Sequence, residues 1–191
     1  MLTDLVKKNR SYRGFDESCP VTEEQLLALV ELSRWTPSGA NAQPLKYHIV
    51  WEKEETEGLL ALTRWAAALP QLKLPREGKH PTAFIVILQD LSIVSKPGAA
   101  DKDVGIAAQT MMLGAAEAGL GGCMIANFDH ERVRAFLKTE EKLEPVLILA
   151  LGKPAEEIRV VPLEKGQKTA YWRDEADIHY VPKRRTEDIL V

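Results

Sequence analysis

The stretch DVGIAAQTMMLGAAEAGLGG, residues 103–122, sets the tightest limit on what this chain can fold into. Asp101 or Asp103 stands where a helix cap belongs, and Gly119 supplies the left-handed residue with which helices often end. Between them Ala, Gly and Met fall on more than one helical face. A helix that touches water keeps a polar face. One that is small on several faces has to lie in close contact with other backbones, within one chain or between two.

The surrounding sequence supplies the neighbours. Residues 1–9 form a short helix. VTEEQLLALVELSRW is a second one, with Thr22 as N-cap, Gln25 completing a capping box, and Leu26, Leu29, Val30 and Ser33 recurring on one face. It stops before Pro37, and TPSGANAQP reads as an ordered loop. Lys46–Glu52 is a strand. Glu55–Leu69 suits a helix ended by Pro70, followed by the polar loop PQLKLPREGKHP. TAFIVILQD and PVLILALG are apolar, β-branched runs that suit buried strands. GGCMIANF is a further strand, and Asp129 caps HERVRAFLK. The last ~35 residues carry little periodicity and need something to lie against. Two helices precede the first clear strand, so regular βαβ alternation is absent and an α+β class fits, with residues 1–191 as a single domain.

Composition narrows the function classes. The net charge of −3 argues against a general nucleic-acid-binding surface, and no apolar run reaches the ~20 residues needed to cross a bilayer. The two cysteines, Cys19 and Cys123, are far apart and make neither a disulfide framework nor a metal-ligand spacing. These features point to a reduced, cytoplasmic protein without metal. No P-loop and no G-x-S-x-G elbow is present, and GLGG at 119–122 follows a helix where a dinucleotide fingerprint follows a strand. The four histidines are isolated from one another in sequence.

Three features carry chemistry. In NRSYRGF, Arg10 and Arg13 stand three residues apart with Ser11 between them, and guanidinium forks with a hydroxyl suit a phosphate. In PSGANAQP, Ser38, Asn41 and Gln43 offer compact donors and acceptors, and Gly39 lets the backbone approach a ligand. In GLGGCMIANF, residues 119–128, glycines leave room for a flat ligand. Each also has a plain reading as a surface turn or tight connection.

In this order and at this spacing, together with the basic VPKRR near the end, the three resemble the FMN-dependent nitroreductase family over nearly the whole chain. The resemblance implies an α+β sandwich with a mainly antiparallel central sheet flanked by helices. It implies an intertwined homodimer with FMN at the subunit interface, which gives the small-residue helix a symmetry mate and the tail a partner to cross. It assigns Arg10, Ser11 and Arg13 to the phosphate and ribityl chain. Pro37, Ser38, Gly39, Asn41 and Gln43 become the loop lining FMN from the other subunit. Met124, Ile125, Ala126 and Asn127 become the strand end beside the isoalloxazine, with a backbone N–H of Ala126 or Asn127 near N5. Lys183 with Arg185, or Arg184, completes the phosphate site.

The implied reaction passes a hydride from NADH or NADPH to FMN and on to a nitroaromatic, quinone or similar small oxidant in a ping-pong cycle, with no side chain as an indispensable acid or base. An FMN-binding or redox-sensing module, or a specialised flavin enzyme for fragmentation or dehalogenation, is the alternative. Departures are present too. Asn9 replaces a basic residue of many relatives, Ala126–Asn127 stand where some members have an acidic residue or Gly, and DLSIVSKPGAADKD is short where relatives carry a covering insertion. The site is therefore expected to be open, or closed by another element such as 70–80.

Overall fold

The computed structural model describes residues 1–191. The chain runs through helix α1 (Leu2–Lys8), strand β1 (Phe15–Asp16), α2 (Glu23–Arg34), β2 (Leu45–Val50), α3 (Lys53–Leu60), β3 (Ala83–Asp90), α4 (Asp101–Glu117), β4 (Gly121–Ile125), α5 (His130–Leu137), β5 (Leu143–Pro154), β6 (Ile158–Pro162), β7 (Trp172–Arg173) and β8 (His179–Lys183). No helix is long and apolar enough to cross a membrane.

Every residue of β3 is buried. Side chains alternate across a strand, so both faces of the sheet must be covered. On one face Ala83, Ile85 and Ile87 join Leu149 and Leu151 of β5, Leu26 and Leu29 of α2, and Ala107, Ala108 and Met111 of α4. On the other, Phe84, Val86 and Leu88 join Ile148 and Ala150, Leu59 of α3, and Val133 and Leu137 of α5. Burial of each such Ile, Leu or Phe contributes roughly 1.5–3 kcal/mol. The result is three layers, helices–sheet–helices.

The five-stranded sheet is antiparallel, in the order β1-β5-β3-β2, with β4 also on β5. This is the expected α+β arrangement. β5 pairs with β3 along one edge, and with β4 and then β1 along the other. The β3–β5 register shifts between Ile87 and Leu88, where Pro145 of β5 has no N–H to give to the ladder.

Local signals behave as the sequence implies at two helix ends. Thr22 Oγ1 accepts from the Gln25 N–H at 3.3 Å and the Gln25 side chain accepts from the Thr22 N–H at 3.0 Å. Gly119 has φ of +76°, and the Leu120 N–H closes back on the Ala115 carbonyl at 2.8 Å.

Three readings are corrected. Neither Asp101 nor Asp103 caps α4; its N-cap is Ala100, without a side-chain bond. The Asp103 carboxylate instead accepts from the Ser38 hydroxyl at 2.5 Å and from the Gly39 N–H at 3.1 and 3.2 Å. The helix reaching Leu69 ends at Leu60, because Thr63 pairs with Phe128 and the Arg64 N–H bonds to the Asn127 carbonyl at 3.0 Å. The tail is not aperiodic: β6, β8 and β7 form a second sheet, with β6 and β8 parallel. A buried ion pair between Arg173 and Glu156 fastens it to the end of β5.

Gly122 in β4 tests the tightness of this packing. A Cβ there would overlap the Ala150 carbonyl oxygen, a main-chain atom held in the β4–β5 ladder, so the backbone would have to shift. Gly122→Ala is expected to lower unfolding free energy by roughly 2 kcal/mol or more, read from the midpoint of urea denaturation.

Candidate functional site

The segment after α1 is laid along the sheet. Ser11 bridges Gly122 in parallel, the Tyr12 N–H bonds to the Gly122 carbonyl at 2.9 Å, and Phe15 pairs with Pro154. Lys8 Nζ donates to the Ala116 carbonyl at 2.9 Å and so fixes α1 to the C-terminal end of α4, where a cation is favoured. Arg10 and Arg13 are thereby held beside β4.

Together they line a cavity of about 370 Å³ with Ser11, Gly122, Met124 and Lys183. Strand alternation explains who points in. On β4, Gly122 and Met124 face the cavity, while Cys123 and Ile125 are buried in the opposite core layer. On β8, His179, Val181 and Lys183 face it.

The lining contains three cations and no carboxylate. None of the three is in an ion pair. Arg10 Nη2 donates to the Val6 carbonyl at 2.6 Å. Arg13 Nη1 donates to the Ser11 carbonyl at 3.2 Å and faces His179 Nε2 at 3.3 Å, with its guanidinium 4.9 Å from the Tyr171 ring centre. The Arg13 main-chain N–H donates to Glu156, whose other oxygen holds Arg173.

The other sequence-derived candidates lie elsewhere in the chain. Pro37, Ser38 and Gln43 line a separate cavity of about 620 Å³ with Asp103 and Tyr47. Gly39 and Asn41 belong to the 3-10 turn Gly39–Asn41 beside it, and Asn41 and Gln43 have positive φ. Ala126 and Asn127 are exposed just past β4, and the Asn127 carbonyl is taken by Arg64. Arg184 and Arg185 border a third hollow, and Arg185 is bonded to Glu164 at 3.1 Å. Of the three consecutive basic residues, Lys183 therefore reaches the Arg10–Arg13 cavity within the chain.

Sequence reading missed Gln109, Met112, Tyr171, His179 and Val181 in this lining. Residues 70–80 do not border this cavity, whereas the chain's own tail lines it through Tyr171 and β8.

The sequence pattern described as the nitroreductase family matches residues 6–153. The chain belongs to the nitroreductase family. YodC of Bacillus subtilis strain 168, provisionally named an NAD(P)H nitroreductase, is 24% identical, with 85% of this chain and 95% of that protein covered. An iodotyrosine deiodinase of Thermotoga neapolitana is 28% identical, over 81% of this chain and 89% of that one. Among solved structures, an FMN-dependent nitroreductase of Clostridium difficile R20291 is similar at 25% identity, TM-score 0.63, covering 80% of this chain and 87% of that chain. For a family member, the matched segment ends at Lys153, so the tail that supplies Tyr171, His179, Val181 and Lys183 lies outside it.

His179 is 1% exposed. Burial, then the neighbouring Arg13 and Arg173 guanidiniums, push its pKa down from 6.5 to about 4, with Asp177 opposing. A guanidinium only donates, so Nε2 accepts from Arg13 and the ring proton sits on Nδ1. Nδ1 is buried without a partner. Above pH 6.5 the imidazole is neutral in folded and unfolded chains alike. As pH falls from 6.5 to about 4, the unfolded chain binds the proton first and stability drops, by an amount on the order of 3 kcal/mol. Urea denaturation across that window should show the loss in the wild type and a smaller one in His179→Gln.

Proposed function

We propose that the chain is an FMN-dependent oxidoreductase that takes reducing equivalents from NADH or NADPH and passes them to a nitroaromatic, quinone or similar small oxidant in a ping-pong cycle. The observation that carries this reading is the cavity whose lining offers Arg10, Arg13 and Lys183 with no carboxylate to pair them. Such a donor set fits a phosphate monoester, which is close to a dianion at neutral pH. The absent side chain of Gly122 and the apolar surfaces of Met112, Met124 and Val181 fit the rest of a flavin mononucleotide. Bound FMN would supply hydride acceptance and electron transfer, chemistry that belongs to the cofactor.

The chain's own groups bind, orient and shield. Arg10, Arg13 and Lys183 would neutralise the phosphate, with charge-assisted hydrogen bonds worth roughly 1.5–3 kcal/mol each. The Ser11 hydroxyl would add a neutral donor. Main-chain N–H groups of Ala126 or Asn127 would lie by the flavin N5 region. Tyr171 and β8 would keep water from the phosphate end. No side chain is assigned a proton-transfer role.

The Pro37–Gln43 loop, with Ser38, Gly39 and Asn41, would join this set from a second subunit of a homodimer. Two surfaces support that arrangement. Leu27, Leu32 and Trp35 of the α2 region are 52%, 41% and 73% exposed in the single chain. Along α4, Lys102, Gly105, Ile106 and Gln109 make an exposed strip at helical spacing, with Gly105 as its one small residue.

The deiodinase relative favours one second reading, a specialised flavin enzyme such as a reductive dehalogenase. Anaerobic mixing separates the two. Rapid bleaching of the FMN-loaded protein by NADH or NADPH, with reoxidation by a quinone, supports the reductase; no bleaching by either nucleotide rejects it. The phosphate assignment has its own test. Arg10→Ala with Arg13→Ala is expected to weaken FMN binding by about 100-fold or more, measured by flavin fluorescence quenching, while the urea midpoint moves by no more than about 1 kcal/mol equivalent. An unchanged affinity would remove Arg10 and Arg13 from the site.

A further inference from the structure

His179 is left over by the reading above. It lines the cation cavity, yet its imidazole is almost wholly buried, and Nδ1 has no hydrogen-bond partner. Its other nitrogen holds an arginine that the phosphate needs: Arg13 Nη1 lies 3.3 Å from Nε2. A buried donor without an acceptor costs about 1–3 kcal/mol, so the neutral ring is retained here at a disadvantage.

We propose that His179, whose Nε2 holds Arg13, is a further anion ligand of this site and takes up a proton when a phosphate monoester docks. The proposal rests on the phosphate-binding reading of the cavity. The step is a proton addition and nothing else. Arg13 swings from Nε2 to the phosphate oxygens, the vacated Nε2 lone pair accepts one proton supplied by the buffer acid, and the imidazolium Nε2–H then donates to the same anion. Nδ1 keeps the proton it already carries. Because imidazolium cannot accept from a guanidinium, the parked and docked states exclude each other.

The surrounding charges fit such a coupling. Arg13 of the N-terminal segment and Arg173 of β7 oppose protonation, and Asp177 after β7 favours it. Lys183 of β8 shares the lining, Tyr171 is tilted against the ring with centres 5.1 Å apart, and Glu156 is engaged by Arg173 and the Arg13 main chain. Without an anion the cations dominate and the ring stays neutral. A dianion placed between Arg13 and Lys183 reverses that balance.

The test is FMN binding to the whole protein by calorimetry in two buffers of different ionisation heat. At about pH 6 the wild type should take up close to one proton more per FMN than His179→Gln, whose amide still accepts from Arg13 but does not titrate. Between pH 8 and pH 6 the wild-type affinity should gain about tenfold on that of the variant. Riboflavin, which lacks the phosphate, should show no such difference. A second readout needs no variant: with only four histidines in the chain, the imidazole resonance of lowest pKa should shift upward on adding FMN. Equal proton uptake by both proteins, the same difference with riboflavin, or an unmoved resonance overturns the role of His179 and leaves the FMN reading standing. Failure of FMN to bind at all overturns both.

Discussion

Strand β5 is the constraint on which the rest depends. Its residues Leu143–Pro154 pair with β3 on one side, and with β4 and β1 on the other. A strand with partners along both edges cannot slip by one residue, because a slip would exchange Leu149 and Leu151 with Ile148 and Ala150 between two differently shaped helical layers. Fixing β5 fixes β4, and Ser11 is fixed through Gly122 in turn. The positions of Arg10 and Arg13 are therefore consequences of core packing in a strand that carries no site residue itself. The main chain of the site is therefore fixed by the sheet before any ligand arrives, and what is left to adjust is side chains such as that of Arg13.

The tail adds the other half of the cavity through an unusually buried set of charges. Arg173 and Glu156 have side chains only 5% and 4% exposed, and Asp177 links Arg173 to Arg76. Desolvating such a pair consumes most of its Coulomb attraction, so it is a poor source of net stability. Its effect is positional. Glu156 also accepts from the Arg13 main chain, so one carboxylate joins the tail and the N-terminal segment. That junction sets Tyr171 and His179 against Arg13. Glu156 satisfies the backbone behind the cavity, while the cationic head groups in front stay free of acids.

Most of the architecture was legible in the sequence because its signals are local. The Thr22–Gln25 box, the Gly119 terminus and the two apolar runs each report through spacing alone. The misreadings share a cause: tertiary partners took over groups whose local preference pointed elsewhere. Asp103 was claimed by Ser38 and Gly39 instead of its own helix end. Thr63 and Arg64 were claimed by the segment after β4. In the tail, the alternation His179, Val181, Lys183 was present in HYVPK, but five residues between turns give too short a period to stand out. The histidine therefore looked isolated, although the strand aligns it with the lysine that the sequence had selected.

The separation of the two predicted half-sites has a geometric reading in the proposed homodimer. Asp103 anchors the Ser38–Gly39 turn near the start of α4, and Gln109, six residues on, lines the cation cavity. At 1.5 Å per residue the two positions are roughly 9 Å apart along the same helix. Between them lie Gly105, where an added Cβ would meet nothing within 4 Å, and the exposed Ile106. A two-fold axis through that point would pack α4 against its mate in antiparallel fashion, and isologous symmetry makes every contact reciprocal. Each helix start would then lie opposite the Gln109 end of the other, bringing each polar loop to the cavity of the opposite chain. Gly105 allows the axes to approach, which larger residues there would prevent. The small-residue pattern that first limited the fold would thus also decide where a two-chain site closes.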